Sequence, residues 1–264
     1  MKSIFRIRKD INKKMYISLA VASFVVLLGL WQMCSSLGWV NPVFLPSPVK
    51  VVQCIYTDFV TGAIWEDMYI SCYRIFLGFI LASALGVVLG ILAGCFKFFE
   101  ALIQPMVEFL RYLPVPAFVP LIMVWIGIDE SAKIAVIFIG TLFQLIPMVA
   151  DDIKSVPDDY VNAAYTLGAS KRYVVFRVLI PGMMPRLFET LRMMMGWAWT
   201  YLVVAELVAA NSGLGYKILK AQRYLRTGTI FEGIIVIGLL GLILDRLFGF
   251  VGKKLFKWSE GGTK

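Results

Sequence analysis

The sequence predicts an all-α membrane protein with six membrane-spanning helices. The chain has 264 residues, of which 59% are hydrophobic and only 16% charged, whereas soluble domains have about 45–50% apolar and about 25% charged residues. Its mean hydropathy is +0.79. Six stretches are mostly apolar over close to the ~20 residues that a helix needs to cross a bilayer.

The predicted spans follow one another along most of the chain, over residues 16–37, 71–95, 113–128, 132–150, 187–210 and 230–251. The first is longer than the ~7–15-residue apolar core of a signal peptide and no cleavage pattern follows it, so we expect it to be retained. The third and fourth are short and contain prolines, at 114, 116, 120 and 147. Because proline leaves helix carbonyls that need other partners, we expect these two spans inside the bundle, beside a pathway.

Positive charge between the spans predicts the orientation. Residues 1–15 carry six Lys or Arg against one Asp, which places this tail in the cytoplasm, and an even number of spans places the basic tail 252–264 there too. Residues 38–70 have one Lys against three acids and are expected outside, with a surface helix from about Pro48 to Val60. The core of five helices, 71–251, then includes a cytoplasmic loop at 155–185.

One loop disagrees with this orientation. Residues 211–229 are expected outside, yet they contain four basic residues, Lys217, Lys220, Arg223 and Arg226. They are either a tolerated exception to the rule or a basic mouth for anions or for an acidic partner, and the sequence does not separate these alternatives.

Several classes of function are excluded by missing residue types. The chain has no histidine, so imidazole bases and ligands are absent. Its four cysteines, at 34, 54, 72 and 95, form no C-x-x-C pair and are expected to be buried apolar residues rather than a metal site. The net charge of +9 is explained by topology and lipid headgroups rather than nucleic acid. No G-x-x-x-x-G-K-[ST] pattern occurs, so the chain is not expected to hydrolyse ATP.

The loop 155–185 is the most informative stretch. Pro157, followed by Asp158 and Asp159, predicts a helix start, and the helix is expected to run to Leu167. Gly168 then supplies a left-handed C-terminal cap. Ser170 is expected to cap a second helix that Pro181 ends. Such a knob outside the bilayer is suited to docking onto another protein.

This loop resembles the EAA loop of importer-type ABC permeases. Asn162-Ala163-Ala164 is followed by Gly168 and then by Val178-Leu179-Ile180-Pro181 at the family spacing. In that family the loop is a coupling helix in a groove of the cytoplasmic ATPase, which implies a coupling role here for Asn162, Ala163, Ala164, Gly168, Ala169, Ser170 and Pro181. Asn162 stands where the family has glutamate, and this leaves open any salt bridge to the ATPase.

The resemblance narrows to the nitrate/sulfonate/taurine permeases. It rests on five further strings in order, FLPSPVKV, SCYRIFLGF, LRYLPVPAFVPLIMVWIGI, AWTYLVVAELVAANSGLGYKI and GIIVIGLLGLILDRLF. It implies the importer permease fold, a pair of identical permease chains, two ATP-binding subunits that hold the ATP and Mg, an extracytoplasmic binding protein, and alternating access in a bacterial inner membrane. The chain itself is expected to hold no cofactor.

The cargo implied by the resemblance is a small oxyanion or sulfonate such as nitrate, taurine, an alkanesulfonate or bicarbonate, with a vitamin precursor as the alternative. A secondary carrier driven by an ion gradient is a rival class. It is disfavoured because no inverted repeat is visible and intramembrane acids are few. A membrane-embedded enzyme is disfavoured because no nucleophile motif is recognisable.

Polar residues in the predicted spans are candidates for the translocation path, because ionisable groups inside a membrane usually face a cavity or a partner. They are Arg74, Thr141, Gln144, Trp199 and Glu206. Three of them have an alternative role. Arg74 is as readily explained as an anchor at the membrane interface, Glu206 by a hydrogen bond in helix packing or gating, and Trp199 by packing. Gly86, Gly90 and Gly94 form a double G-x-x-x-G that predicts close helix packing.

Overall fold

The computed structural model describes residues 12–258, and within this range the regular structure is entirely helical. The helices are α1 (Lys13–Ser36), α2 (Pro48–Thr61), α3 (Trp65–Cys95), α4 (Lys97–Arg111), α5 (Val115–Ile126), α6 (Glu130–Lys154), α7 (Asp158–Thr166), α8 (Lys171–Val174), α9 (Ile180–Ala209), α10 (Leu214–Arg223) and α11 (Thr227–Leu255). Most of the tail 1–15 and the end of the tail 252–264 lie outside the described residues. The predicted all-α class is confirmed.

Six spans are not confirmed. Within residues 12–258, four helices, α1, α3, α6 and α11, are long and apolar enough to cross a membrane, and α4 with α5 makes a fifth candidate bent by 101°. The predicted third span, 113–128, is therefore only the second arm of a broken pair. Helix α9 contains most of the predicted span 187–210 and has 30 residues. Its ionisable residues lower its mean hydropathy, namely Arg186, Glu189, Arg192 and Glu206.

Helices α3 and α6 form the centre of the bundle, and small residues let them approach closely. A Cβ on Gly86 would lie 3.0 Å from Leu145 Cδ2, one on Gly90 2.6 Å from Val149 Cβ, and one on Gly94 2.5 Å from Ile153 Cγ2. The same stripe begins earlier than the sequence analysis places it, at Gly78, which faces Ile137. Because the facing residues advance together in both helices, α3 and α6 run parallel.

The helices that follow run antiparallel to their neighbours. Near one end of α6, Gly182 at the start of α9 lies against Val156, and further along Tyr201 of α9 lies against Gly140 of α6. Helix α11 returns along α9, with Trp199 against Gly241 and Phe188 against Gly252. Helix α9 therefore runs alongside α6 for most of the length of α6.

Pro181 does not end a helix, contrary to the sequence-based expectation. Val175–Leu179 form a π-helical turn that joins α8 to α9 without a break. The N–H of Ile180 donates to the carbonyl of Val175, five residues back. This wider turn sits where the proline ring would clash with the carbonyl four residues earlier, so the rod continues through Pro181.

Two helices have no counterpart in the sequence-based assignment. Helix α4 carries a proline at 105 and α10 is strongly basic, and both are amphipathic, so neither reads as an apolar span. The expected surface helix is present as α2. Helix α1 lies at the edge of the bundle with no buried residue, and its contacts include Trp31, whose ring centre is 5.2 Å from that of Phe231.

Candidate functional site

Helix α7 projects from the bundle. None of its residues is buried, and large apolar side chains are exposed on it and beside it, among them Tyr160 at 61% and Leu167 at 88%. Asn162 and Ala163 are exposed, while Ala164 is half-buried. An apolar surface of this kind, displayed on a short helix outside the core, is typical of a docking element.

The turn after α7 is closed by a Schellman motif. Gly168 N–H donates to Tyr165 O (2.9 Å) and Ala169 N–H donates to Ala164 O (3.0 Å), the pairing that defines this cap. Gly168 has φ +81°, and nothing lies within 4 Å of the position a Cβ would take. The Ser170 hydroxyl then accepts from Tyr173 N–H at 3.3 Å and begins α8. Gly168 and Ser170 thus have the conformations that the sequence predicts.

Arg74 is fully buried and is held by two carboxylates at one end of the bundle. It donates from Nε and Nη2 to Glu130 (2.6 and 2.8 Å) and from Nη1 to Glu206 Oε1 (2.7 Å). Nη1 and Nη2 also reach the carbonyl and hydroxyl of Ser212. All five N–H donors of the guanidinium are thus occupied, which leaves none for a passing solute.

The same network begins helix α10. Glu206 Oε2 accepts from Gly215 N–H at 2.7 Å, and the Ser71 hydroxyl donates to Glu206 while accepting from Leu214 N–H. Gly213 has φ +108°, and a Cβ there would lie 2.6 Å from Arg74 Nη1. The carboxylate at a helix N-terminus is favourably placed against the helix dipole. Glu206 thus joins α3, α9 and α10.

A second buried pair involves the basic loop. Lys217 Nζ donates to Asp58 and, at 3.1 Å, to Glu232 Oε1, which ties α10 to α2 and α11. Burial alone would lower the pKa of Lys217, but its hydrogen bonds to Asp58 and Glu232 raise the pKa above its ordinary value. Lys217, Lys220 and Arg226 line an open cavity of about 640 Å³ together with the acidic residues Asp58, Glu66 and Asp67. Of the two alternatives for this loop, the basic mouth is therefore a cavity of mixed charge.

A cleft of about 270 Å³ lies where α4 bends into α5. Its lining includes Arg111, Tyr112, Gln144 and Tyr201, together with Pro114 and Pro116. Gln144 is about 20 Å from one end of α6 and about 15 Å from the other, at 1.5 Å per residue. The cleft is thus near the middle of the bundle, between α5, α6 and α9.

Comparison with known proteins identifies the family. A model described as "Binding-protein-dependent transport system inner membrane component" matches residues 86–257, well over half of the chain. The chain belongs to this family. A probable ABC transporter permease protein of Brucella abortus is 37% identical over 92% of this chain and 96% of the relative.

Two further relatives of the permease have names that state a cargo. The taurine transport system permease protein TauC of Escherichia coli is 31% identical over 92% of this chain and 90% of its own length. The nitrate import permease protein NrtB of Synechococcus elongatus is 31% identical over 88% of each chain. The protein is therefore a permease subunit of an ABC importer, and it is not the ATP-hydrolysing subunit.

Solved structures of importers share the permease's fold. An amino acid ABC transporter matches with a TM-score of 0.58 and 16% identity over 76% of this chain and 96% of that chain. The inward-facing MetNI methionine transporter matches with a TM-score of 0.53 and 22% identity over 73% and 92%. These likenesses confirm the importer permease fold expected from the sequence.

The five candidate path residues of the permease do not lie together. Arg74 and Glu206 are bound to each other, and Thr141 is fully buried in the core. Trp199 is also in the core, where its side chain packs near Gly241 of α11. Gln144 alone of the five lines the central cleft. Arg111 of the same cleft is not among the residues predicted from the sequence, although the prolines that follow it indicate the break in the helix.

Proposed function

We propose that this permease imports a small oxyanion or sulfonate and that α7 is the element through which a separate ATPase drives it. Members of the family are inner-membrane components of binding-protein-dependent transport systems, so the partners of this permease are ATP-binding subunits and a substrate-binding protein. Relatives named for taurine and nitrate support the class of cargo. Helix α7, a fully unburied helix outside the core, is the observation that carries the coupling role.

Force from the ATPase has a direct route into the core. Helix α8, the π-helical turn and α9 form one continuous rod from Lys171 to Ala209, and Glu206 near its far end holds α3 and α10. In our proposal ATP, with Mg, binds on the ATPase and draws two docked α7 helices together. The two rods then tilt and open the path outward, and hydrolysis returns it inward. Two copies of the chain enclose one path.

The chain is proposed to cross the membrane six times, with both termini in the cytoplasm. The parallel arrangement of α3 and α6 supports this, because the chain must return between them and only the bent pair α4–α5 is available. The antiparallel course of α9 along α6 supports a crossing by α9. Alkaline phosphatase fused after residue 128 or 210 should be active, and fused after 155 or 258 inactive. An inactive fusion at 128 would contradict a crossing by α4–α5, and with it the parallel course of α3 and α6.

The assembly is tested by native mass spectrometry of the tagged chain, purified from its own cells in mild detergent. We expect two copies with two ATP-binding subunits. A variant with both Tyr160 and Leu167 changed to Ser should lose the ATPase and keep the permease pair. A wild-type chain that never retains an ATPase would contradict the coupling role and favour the secondary carrier.

The cargo is tested with the substrate-binding protein that serves this permease. Its ligand is sought by thermal shift against nitrate, taurine, methanesulfonate and bicarbonate, with a neutral pyrimidine as the comparison. Stabilisation by one of the anions or sulfonates is expected. Stabilisation by the pyrimidine alone would replace the oxyanion or sulfonate with a vitamin precursor as cargo.

A further inference from the structure

Arg111 occupies the point where the membrane path is broken. It is the last residue of α4, and the two arms α4 and α5 meet beside it at 101°. Arg111 and Gln144 line the same central cleft of about 270 Å³. Because Gln144 is near the middle of α6 and its amide donates to the Arg111 carbonyl, the backbone of Arg111 lies close to the midplane of the bundle.

The Arg111 guanidinium lacks the partners that the structure gives to other embedded cations. Arg74 and Lys133 are each held by a carboxylate at 2.6–2.7 Å, and Arg192 by Asp245 at 2.6 Å. Arg111 forms no salt bridge within residues 12–258, and its Nε is buried there without a hydrogen-bond partner. An arginine at this depth is costly unless it faces water or a partner.

The groups around Arg111 favour an anion as that partner. Its Nη2 donates to the Tyr112 hydroxyl at 3.3 Å and its Cζ is 5.1 Å from the centre of that ring, and Tyr112 also lines the cleft. The Gln144 amide donates to the Arg111 carbonyl at 3.5 Å. A planar guanidinium presents paired N–H donors that match two oxygens of an oxyanion or sulfonate.

The nearest internal alternative is a carboxylate in an adjoining cavity. Arg111 also borders a cavity of about 160 Å³ whose lining includes Glu108 and Asp151. Neither forms a salt bridge with Arg111. Glu108 accepts instead from Gln104 at 2.7 Å. The guanidinium is thus left available to the central cleft.

We propose that Arg111 is the anion-recognition residue of the translocation path, with Tyr112 and Gln144 beside it. It binds the sulfonate, nitrate or other oxyanion group of the cargo halfway across the membrane. This rests on the proposed function, that the cargo carries such a group. Of the five path candidates from the sequence, Gln144 belongs to this site, whereas Arg74 is enclosed by its own carboxylates.

The test uses the complete importer, permease with its ATPase and binding protein, in proteoliposomes. Uptake of labelled taurine, methanesulfonate and nitrate is measured for Arg111→Gln, Arg111→Lys and the control Arg246→Gln, which removes an exposed arginine of α11. We expect Arg111→Gln to lower uptake of the accepted anion at least tenfold. Arg111→Lys should recover part of it, and Arg246→Gln should stay within twofold of wild type. The ratio of permease to ATPase in each purified importer shows whether the variant has assembled, and Arg246→Gln should also keep the wild-type rate of basal ATP hydrolysis.

Three outcomes separate the alternatives. Uptake by Arg111→Gln equal to that by Arg246→Gln would overturn the assignment of Arg111 alone. Recovery of uptake in the double variant Arg111→Gln/Glu108→Gln would overturn it as well, since Arg111 would then be a counter-ion for Glu108. A wild-type importer that moves none of these three solutes, and no labelled bicarbonate, would overturn the proposed cargo, and with it this site.

Discussion

Gly168 shows how much one backbone conformation matters at the docking turn. Its φ of +81° costs a residue with a side chain about 1–2 kcal/mol, and no neighbour would obstruct that side chain. Both facts follow from local rules, which is why the sequence alone predicts the cap. The partners of Arg74 could not be predicted in that way, because Glu206 is 132 residues away.

Replacing Gly168 by Val should uncouple ATP hydrolysis from uptake, since a β-branched residue strongly disfavours the left-handed conformation. Gly168→Asn is the matched control, because asparagine tolerates this conformation, and it should retain most of the uptake. Uptake and hydrolysis are measured together in proteoliposomes. Normal coupling in Gly168→Val would show that the Schellman turn is not required.

Glu206→Gln should lower the thermal stability of the purified permease markedly. Removing one partner of a buried ion pair costs about 3–5 kcal/mol, and both Arg74 and Glu206 have fully buried side chains. Asp245→Asn is the comparison, since the Arg192–Asp245 pair is 29% and 42% exposed. We expect the midpoint of thermal unfolding to fall clearly further for Glu206→Gln than for Asp245→Asn. Equal shifts in the two variants would contradict a stabilising role of the buried Arg74–Glu206 pair.

At the scale of elements, hydropathy predicts the helices that face lipid or core on all sides. It locates α3, α6 and α11 to within a few residues at most ends. It fails for α4 and α10, because an amphipathic helix has too many polar residues to read as a span. The sequence-based assignment also fails at Pro181. There a π-helical turn accommodates the proline within a continuous helix, and no local sequence pattern predicts such a turn.

We expect opposite effects from two glycine-to-alanine changes, one in the stripe of small residues on α3 and one on an open face of α11. Gly90→Ala should destabilise the permease, because its Cβ would lie 2.6 Å from Val149 Cβ and 2.8 Å from the Ile146 carbonyl. Gly238→Ala in α11 meets nothing within 4 Å and should be neutral or stabilising by up to ~1 kcal/mol. Thermal unfolding in detergent checks both, and a stable Gly90→Ala would mean that α3 and α6 can separate at little cost.

At the scale of the whole molecule, α1 is an addition to a core that starts at α3. It has no buried residue, and the family match begins only at residue 86. Replacing residues 1–36 with a cleavable signal peptide, which still delivers α2 outward, should leave the unfolding midpoint within a few degrees. Truncation before α11 removes Glu232 and Asp245 with their ion pairs and should prevent folding. An equal loss of stability after replacement of α1 and after truncation before α11 would contradict the conclusion that α1 lies outside the core.

The buried arginine of α3 also has a consequence for biosynthesis. Glu130 follows Arg74 by 56 residues and Glu206 follows it by 132. At about 5–20 residues per second, the ribosome reaches Glu130 within roughly 3–11 s and Glu206 only after roughly 7–26 s. Until Glu130 is made, the newly inserted α3 carries an uncompensated positive charge, and until Glu206 is made, Nη1 of Arg74 lacks its carboxylate partner. The order in which acidic partners leave the ribosome therefore sets how long the insertion machinery must shelter this helix before the bundle can close.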